Sequence, residues 1–134
     1  MTGYSGTPLP RRLGTKTGMT ISILGAPDDF ETTLGALPDD VDVRHRPTDS
    51  KIFIVFAHWR SEMEQRFRTA MTHIPSDGAV WVAWPKKSSG VETDMTEDTM
   101  RELFLPTGLV DNKVCAIDET WSGLRFVLRK ENHP

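Results

Sequence analysis

A single cysteine, Cys115, stands in 134 residues, so no internal disulfide can form and a reducing compartment is implied. No apolar run approaches the roughly 18 residues that a bilayer span requires. Met1 to Gly18 lacks the apolar stretch of a secretory leader, so a cytoplasmic location is expected. Positive charge is not in excess: 16 Lys and Arg against 19 Asp and Glu leave a formal net charge of −3, which argues against nucleic acid as a generic partner. The four histidines (45, 58, 73 and 133) are scattered, and none pairs with a second His or Cys at ligand spacing. No metal site is therefore expected. Several nucleotide and nucleophile motifs are missing too. Gly14 and Gly18 have the wrong spacing for a phosphate-cradling loop, and no G-x-S-x-G elbow occurs. A dinucleotide turn needs three glycines, whereas Gly25 stands alone before Ala26, Pro27, Asp28 and Asp29. Two acids at that helix start repel a diphosphate, and the second strand ends in Arg44, His45 and Arg46 where a ribose-binding acid belongs. No nucleotide or S-adenosylmethionine cofactor is predicted.

What is present is the pattern of one α/β domain. The length suits a single core. Residues 1–18, rich in Gly, Pro and Thr, form an arm that is either a loose tail or docked on a domain surface through the spaced Tyr4, Leu9 and Leu13; residues 19–130 form the domain and 131–134 a frayed tail. Met19–Leu24 reads as a strand stopped by Gly25 and Pro27, and Phe30 with Leu34 gives the next short helix its buried stripe. Val41–Val43 is a brief second strand. Lys51–Ala57 is a near-continuous apolar run and Ala79–Trp84 an unbroken one, as in strands covered on both faces. Between them Met63, Phe67, Ala70, Met71 and Ile74 mark one helix face, with Ser61 and Glu64 spaced as a capping box. This strand–helix–strand run predicts a parallel pair. Asp94 and Glu97 suggest a second box, followed by a helix facing inward through Met100, Leu103 and Phe104. Leu109–Ile117, a turn over 118–123 and Leu124–Leu128 close the chain as a hairpin, with Cys115 as inert core. The link from Arg44 to Ile52 spans roughly 24 Å when extended, too short for a crossover helix, so a bare crossover is expected. The resulting sheet has the expected order 2-1-3-4-6-5, its last strand antiparallel.

In such a sheet ligands bind outside the carboxyl ends of the strands. Those ends bring together the Gly25 turn, His58 with Trp59, Trp84 with Lys86 and Lys87, and Asp118 with Glu119 and Trp121. Lys86 and Lys87 suit an anion, and Asp118 or Glu119 suits orienting a lysine or accepting from a ligand hydroxyl. The alternative is an ion pair closing the sheet edge, with the tryptophans only packing.

The runs Gly3–Leu9 (GYSGTPL), Leu24–Pro27 (LGAP), Trp81–Lys87 (WVAWPKK) and Lys113–Leu124 (KVCAIDETWSGL) resemble those of a small bacterial family of unknown function. That family is similar in outline to a shortened class I methyltransferase domain, a three-layer Rossmann-like sheet. The resemblance implies a stand-alone cytoplasmic protein and lends no catalytic role to any residue. The expected function is a non-catalytic binding or regulatory module. It would engage a partner protein or small anion through Lys86, Lys87, Asp118, Glu119, Trp121, His58 and Trp84. The alternatives are a divergent methyltransferase-like transferase and a subunit-interaction protein that pairs with another copy through its arm.

Overall fold

The computed structural model describes residues 7–128; Tyr4 and the 131–134 tail lie outside them. Six strands form one sheet in the order β2-β1-β3-β4-β6-β5: β1 (Thr20–Leu24), β2 (Asp42–Arg44), β3 (Ile52–Phe56), β4 (Ala79–Pro85), β5 (Leu109–Ala116) and β6 (Trp121–Leu128). Strands β2, β1, β3 and β4 are parallel. Strand β6 runs antiparallel to both β4 and β5. Every residue of β3 and β4 is buried, which explains why both read as unbroken apolar runs. The order and the antiparallel last strand match the expectation.

Strand alternation splits the core into two layers. One face packs Phe53, Val55, Val80, Val82 and Trp84 against α3 (Arg60–Met71) and α4 (Glu97–Phe104) through Met63, Phe67, Met100 and Phe104. The other packs Ile21, Ile23, Ile54, Phe56 and Trp81 against α2 (Phe30–Leu34) and the arm. The arm carries a single helical turn, α1 (Leu9–Arg12), with Pro8 before it and Pro10 in its first turn, where a missing N–H costs nothing. Leu9 and Leu13 are buried in the sheet's second layer. The Trp81 indole N–H donates to Leu13 O at 2.9 Å, and Arg12 Nη1 donates to Ala116 O at 2.7 Å on β5.

Both helix caps differ from the expected boxes. At α3, Glu62 rather than Glu64 turns back: its Oε1 accepts from the backbone N–H groups of His58 and Trp59 at 3.3 and 3.4 Å. The helix follows β3 within four residues, so the orphan donors lie two positions earlier than the Ser61 spacing implies. Glu64 pairs instead with Arg60 one turn back. At α4 the cap is Thr96, whose side chain accepts from Thr99 N, while Asp94 accepts from Arg60 N at 2.7 Å. The closing turn is shorter than expected, because Trp121, Ser122 and Gly123 already pair in β6.

The β2–β3 link crosses β1 as bare chain, as its length demands. Ser22, the buried polar residue of β1, lies 2.7 Å by Oγ from Ser50 Oγ, and Ser50 Oγ donates to Thr48 O. These bonds satisfy link and strand where a helix would otherwise lie. Ser22→Ala is expected to cost about 1 kcal/mol, read as a lower urea midpoint with an unchanged slope. Compared with the doubly wound order 3-2-1-4-5-6, no strand lies outside β2 among the described residues. Among the described residues no helix is long and apolar enough to cross a membrane.

Candidate functional site

Chain order reverses between β1 and β3, so the switch crevice opens at the carboxyl ends of these two strands. On the β1 side Gly25 turns the chain at φ +71°. A Cβ there would lie 2.6 Å from Phe56 O and 2.7 Å from Arg66 Nη1. Glycine is thus required twice, by the dihedral and by the approach of β3 and α3. Arg66 reaches from α3 to donate to Phe56 O at 2.7 Å, which places a half-buried guanidinium beside the glycine turn.

The end of β2 carries the basic run, but an acid meets it from another element. Glu31, in the first turn of α2, lies 2.6 Å by Oε1 from His45 Nε2. Both side chains remain more than half exposed, so the pair is worth little as a stabilising ion pair and stays accessible. Arg44 pairs with Asp42 on its own strand.

On the other side of the crevice, an aromatic ladder runs across the second layer. Phe30 meets Phe56 at 4.8 Å, Phe56 meets Trp121 at 5.0 Å, and Trp121 meets His58 at 5.1 Å, all edge-on. His58 and Trp59 are exposed, whereas Trp84 and Trp121 are buried. The loop after β4 is tied to the β5–β6 turn, since Lys86 Nζ donates to Asp118 O at 2.9 Å and Lys86 N to Thr120 O at 2.8 Å. The Asp118 carboxylate accepts from Thr120 N and Trp121 N at 2.8 and 2.7 Å. Lys86 therefore meets the backbone of Asp118 while its carboxylate shapes the turn. Lys87 and Glu119 are exposed beyond this clasp. Asp118→Ala is expected to cost about 1–2 kcal/mol, because two backbone donors lose a charged acceptor. Asp118→Asn, which keeps one acceptor oxygen, should cost less than half of that in the same melting experiment.

The sequence-predicted residues thus share one edge, but they divide. His58, Lys87 and Glu119 face solvent, Lys86 and Asp118 lock the turn, and Trp84 and Trp121 are buried in opposite layers of the core. Arg66 and Glu31 were not among the predicted set. Each acts through a partner far off in sequence, and no local pattern marks them. Cys115 is buried, and desolvation pushes its thiol up despite the nearby Arg12 and Lys113 charges, the behaviour of core rather than of a nucleophile. A separate cavity of about 640 Å³ opens at the amino edge between the crossover and the end of α3. There His73 Nδ1 lies 2.8 Å from Asp49 Oδ1. Among the described residues no group of three or more His, Cys, Asp or Glu is placed to hold a metal ion.

No family model and no curated protein matches the chain, so the likeness to the small bacterial family rests on its motifs alone. Solved structures do match. A putative type 11 methyltransferase from Sulfolobus solfataricus is similar at a TM-score of 0.63 and 15% identity, over 94% of this chain and 93% of that one. DhpI, solved as its SAH complex, is similar at a TM-score of 0.62 and 12% identity, over 92% and 83%. A TehB-like SAM-dependent methyltransferase from Corynebacterium glutamicum is similar at a TM-score of 0.56 and 10% identity, over 95% and 90%. At these identities the likeness is one of fold: the chain has the sheet of a methyltransferase-like Rossmann domain.

Proposed function

We propose that this chain is a divergent methyltransferase-like protein that binds an S-adenosylmethionine-class nucleoside at the carboxyl edge between β1 and β3. The observation that carries the reading is the exposed, positive-φ Gly25 turn at the switch point, in a sheet matched end to end by a methyltransferase. This ranks the transferase alternative above the non-catalytic module favoured by motif absence. The residues at the edge fit such a group in three respects. A sulfonium nucleoside carries no diphosphate, so Asp28 and Asp29 attract rather than repel it. Glu31, reaching His45 at the end of β2, offers ribose hydroxyls the carboxylate that β2 itself lacks. Arg66, beside Gly25, offers the carboxylate of the amino-acid end a charged partner. Bound there, the group supplies an electrophilic methyl. The chain's own residues hold and orient it: Glu31 at the sugar, Arg66 at the carboxylate, and Gly25 by the close turn that admits Arg66 beside the crevice.

Calorimetry with S-adenosylhomocysteine tests this reading. Micromolar binding is expected, weakened about tenfold by Glu31→Gln, in keeping with the loss of a charged hydrogen bond. At a ligand concentration of 100 times Kd the fold should gain about 2.7 kcal/mol. Absence of both heat and thermal shift at millimolar ligand would overturn it. A second reading, a small-anion site, is favoured by the Arg66 guanidinium at the crevice and by exposed Lys87. It wins if inorganic phosphate, and not the nucleoside, stabilises the protein in an Arg66-dependent way.

A further inference from the structure

Three of the four tryptophans are core: Trp81, Trp84 and Trp121 are 0%, 4% and 5% exposed. Trp59 is 43% exposed, a flat apolar face left in water at the carboxyl end of β3. This exposed indole stands beside the switch crevice. It follows His58, whose Cα is about 3.8 Å from its own.

The backbone that presents the two side chains is fixed at every step. Glu62 accepts from His58 N and Trp59 N. Thr93 Oγ1 donates to His58 O at 2.5 Å, and Asp94 accepts from Arg60 N at 2.7 Å. These bonds cap α3 and tie the strand exit to the loop before α4. Such rigidity lowers the ordering cost of a later binding event. The His58 ring is braced edge-on by Trp121 at 5.1 Å. Among the described residues neither of its nitrogens has a hydrogen-bond partner, so a neutral imidazole keeps an acceptor nitrogen open to a ligand hydroxyl.

Resting on the methyltransferase-like reading of this edge, we propose that His58 and Trp59 form the subsite for the second substrate, a planar aromatic compound that carries a hydroxyl group. Trp59 stacks on the ring, and His58 accepts the hydroxyl proton in a hydrogen bond. Stacking on an indole selects a flat ring over a puckered one of equal size. The open imidazole nitrogen selects a free hydroxyl over its ether.

Three probes separate these terms: 2-naphthol, its methyl ether, and the non-planar decahydro-2-naphthol. Each is titrated into the full chain with and without saturating S-adenosylhomocysteine, with the tryptophan indole N–H signals followed by NMR. The expected result is that 2-naphthol shifts the Trp59 signal, leaves those of Trp81 and Trp84 unmoved, and binds at least fivefold more tightly than either analogue. Trp59→Ala should weaken 2-naphthol at least tenfold. His58→Phe, which keeps a ring against Trp121, should abolish the preference for naphthol over its ether while leaving the ether's affinity unchanged. Both side chains are exposed, so neither variant threatens the fold. Equal affinity for the three probes, or an unaffected Trp59→Ala protein, would overturn the proposal. Calorimetry with S-adenosylhomocysteine reports separately on the underlying reading. If the nucleoside binds and the probes show no selectivity, the subsite alone falls. If the nucleoside fails and the selectivity stands, the cofactor reading falls and the aromatic site remains.

Discussion

Leu13→Ala is expected to lower the stability of the protein by about 3 kcal/mol, and its melting temperature by roughly 10 °C. The residue is fully buried in the second layer, under a turn whose only helical segment is four residues long. Little local structure is available to collapse into the space that the side chain leaves. Its carbonyl also accepts the Trp81 indole N–H, so any shift of the arm sets a buried donor loose, at a further cost of about 1–3 kcal/mol. Removing residues 1–15 takes away Leu9, Leu13 and this acceptor together. A domain with a total stability of about 5–15 kcal/mol should then lose most of its cooperative thermal transition. Urea titration followed by tryptophan fluorescence measures both variants. A loss below 1 kcal/mol for Leu13→Ala would mean that the arm lies on the sheet without contributing to its stability.

Gly25→Ala carries the second large effect. An L-residue at φ +71° costs about 1–2 kcal/mol for the dihedral alone. The added Cβ also meets the Phe56 carbonyl oxygen and the Arg66 guanidinium, each at less than 3 Å. The side chain can withdraw but the β3 backbone cannot. The total should therefore reach about 3 kcal/mol, with S-adenosylhomocysteine binding lost. Combining the substitution with Arg66→Ala should recover only the part due to the guanidinium. The double-mutant cycle should then show a favourable coupling of about 1 kcal/mol. Full additivity would mean that Arg66 does not press on the turn.

The sequence carried most of the sheet and little of the crevice, for one physical reason. β3 and β4 are apolar on both faces, and α3 shows a clean stripe from Met63 to Ala70. These patterns are local, and with the handedness of parallel connections they leave few strand orders. The link from Arg44 to Ile52 could be recognised as bare because its length is a hard geometric bound. The caps went wrong by two residues because Ser61 and Glu64 satisfy a spacing rule, while the orphan N–H groups depend on where β3 stops. Glu31 with His45, and Arg66 with Phe56 and Gly25, are pairings across 14, 10 and 41 positions. Nothing in the composition of either end announces the other. The same holds for the arm: the spacing of Leu9 and Leu13 allows docking but equally a loose tail, and its place over Trp81 and Ala116 is set by the finished sheet.

That placement also bears on how the molecule comes into being. Arg12 bonds to Ala116, 104 positions further on, and Lys113 Nζ returns to Arg12 O at 2.6 Å across 101. At ribosomal rates of about 5–20 residues per second, the arm exists for roughly 5–20 s before the strand that receives it is made. Over that interval Leu9 and Leu13 can cover β1, α2, β3 and β4 as these form, but Arg12 has no partner on β5. The tie from Arg12 to β5 belongs to the final closure of the fold, whose long loops make it slow relative to the βαβ unit at its centre. A nascent chain halted before β5 should therefore hold the arm without its β5 ties and be cut there faster by proteases than the released protein.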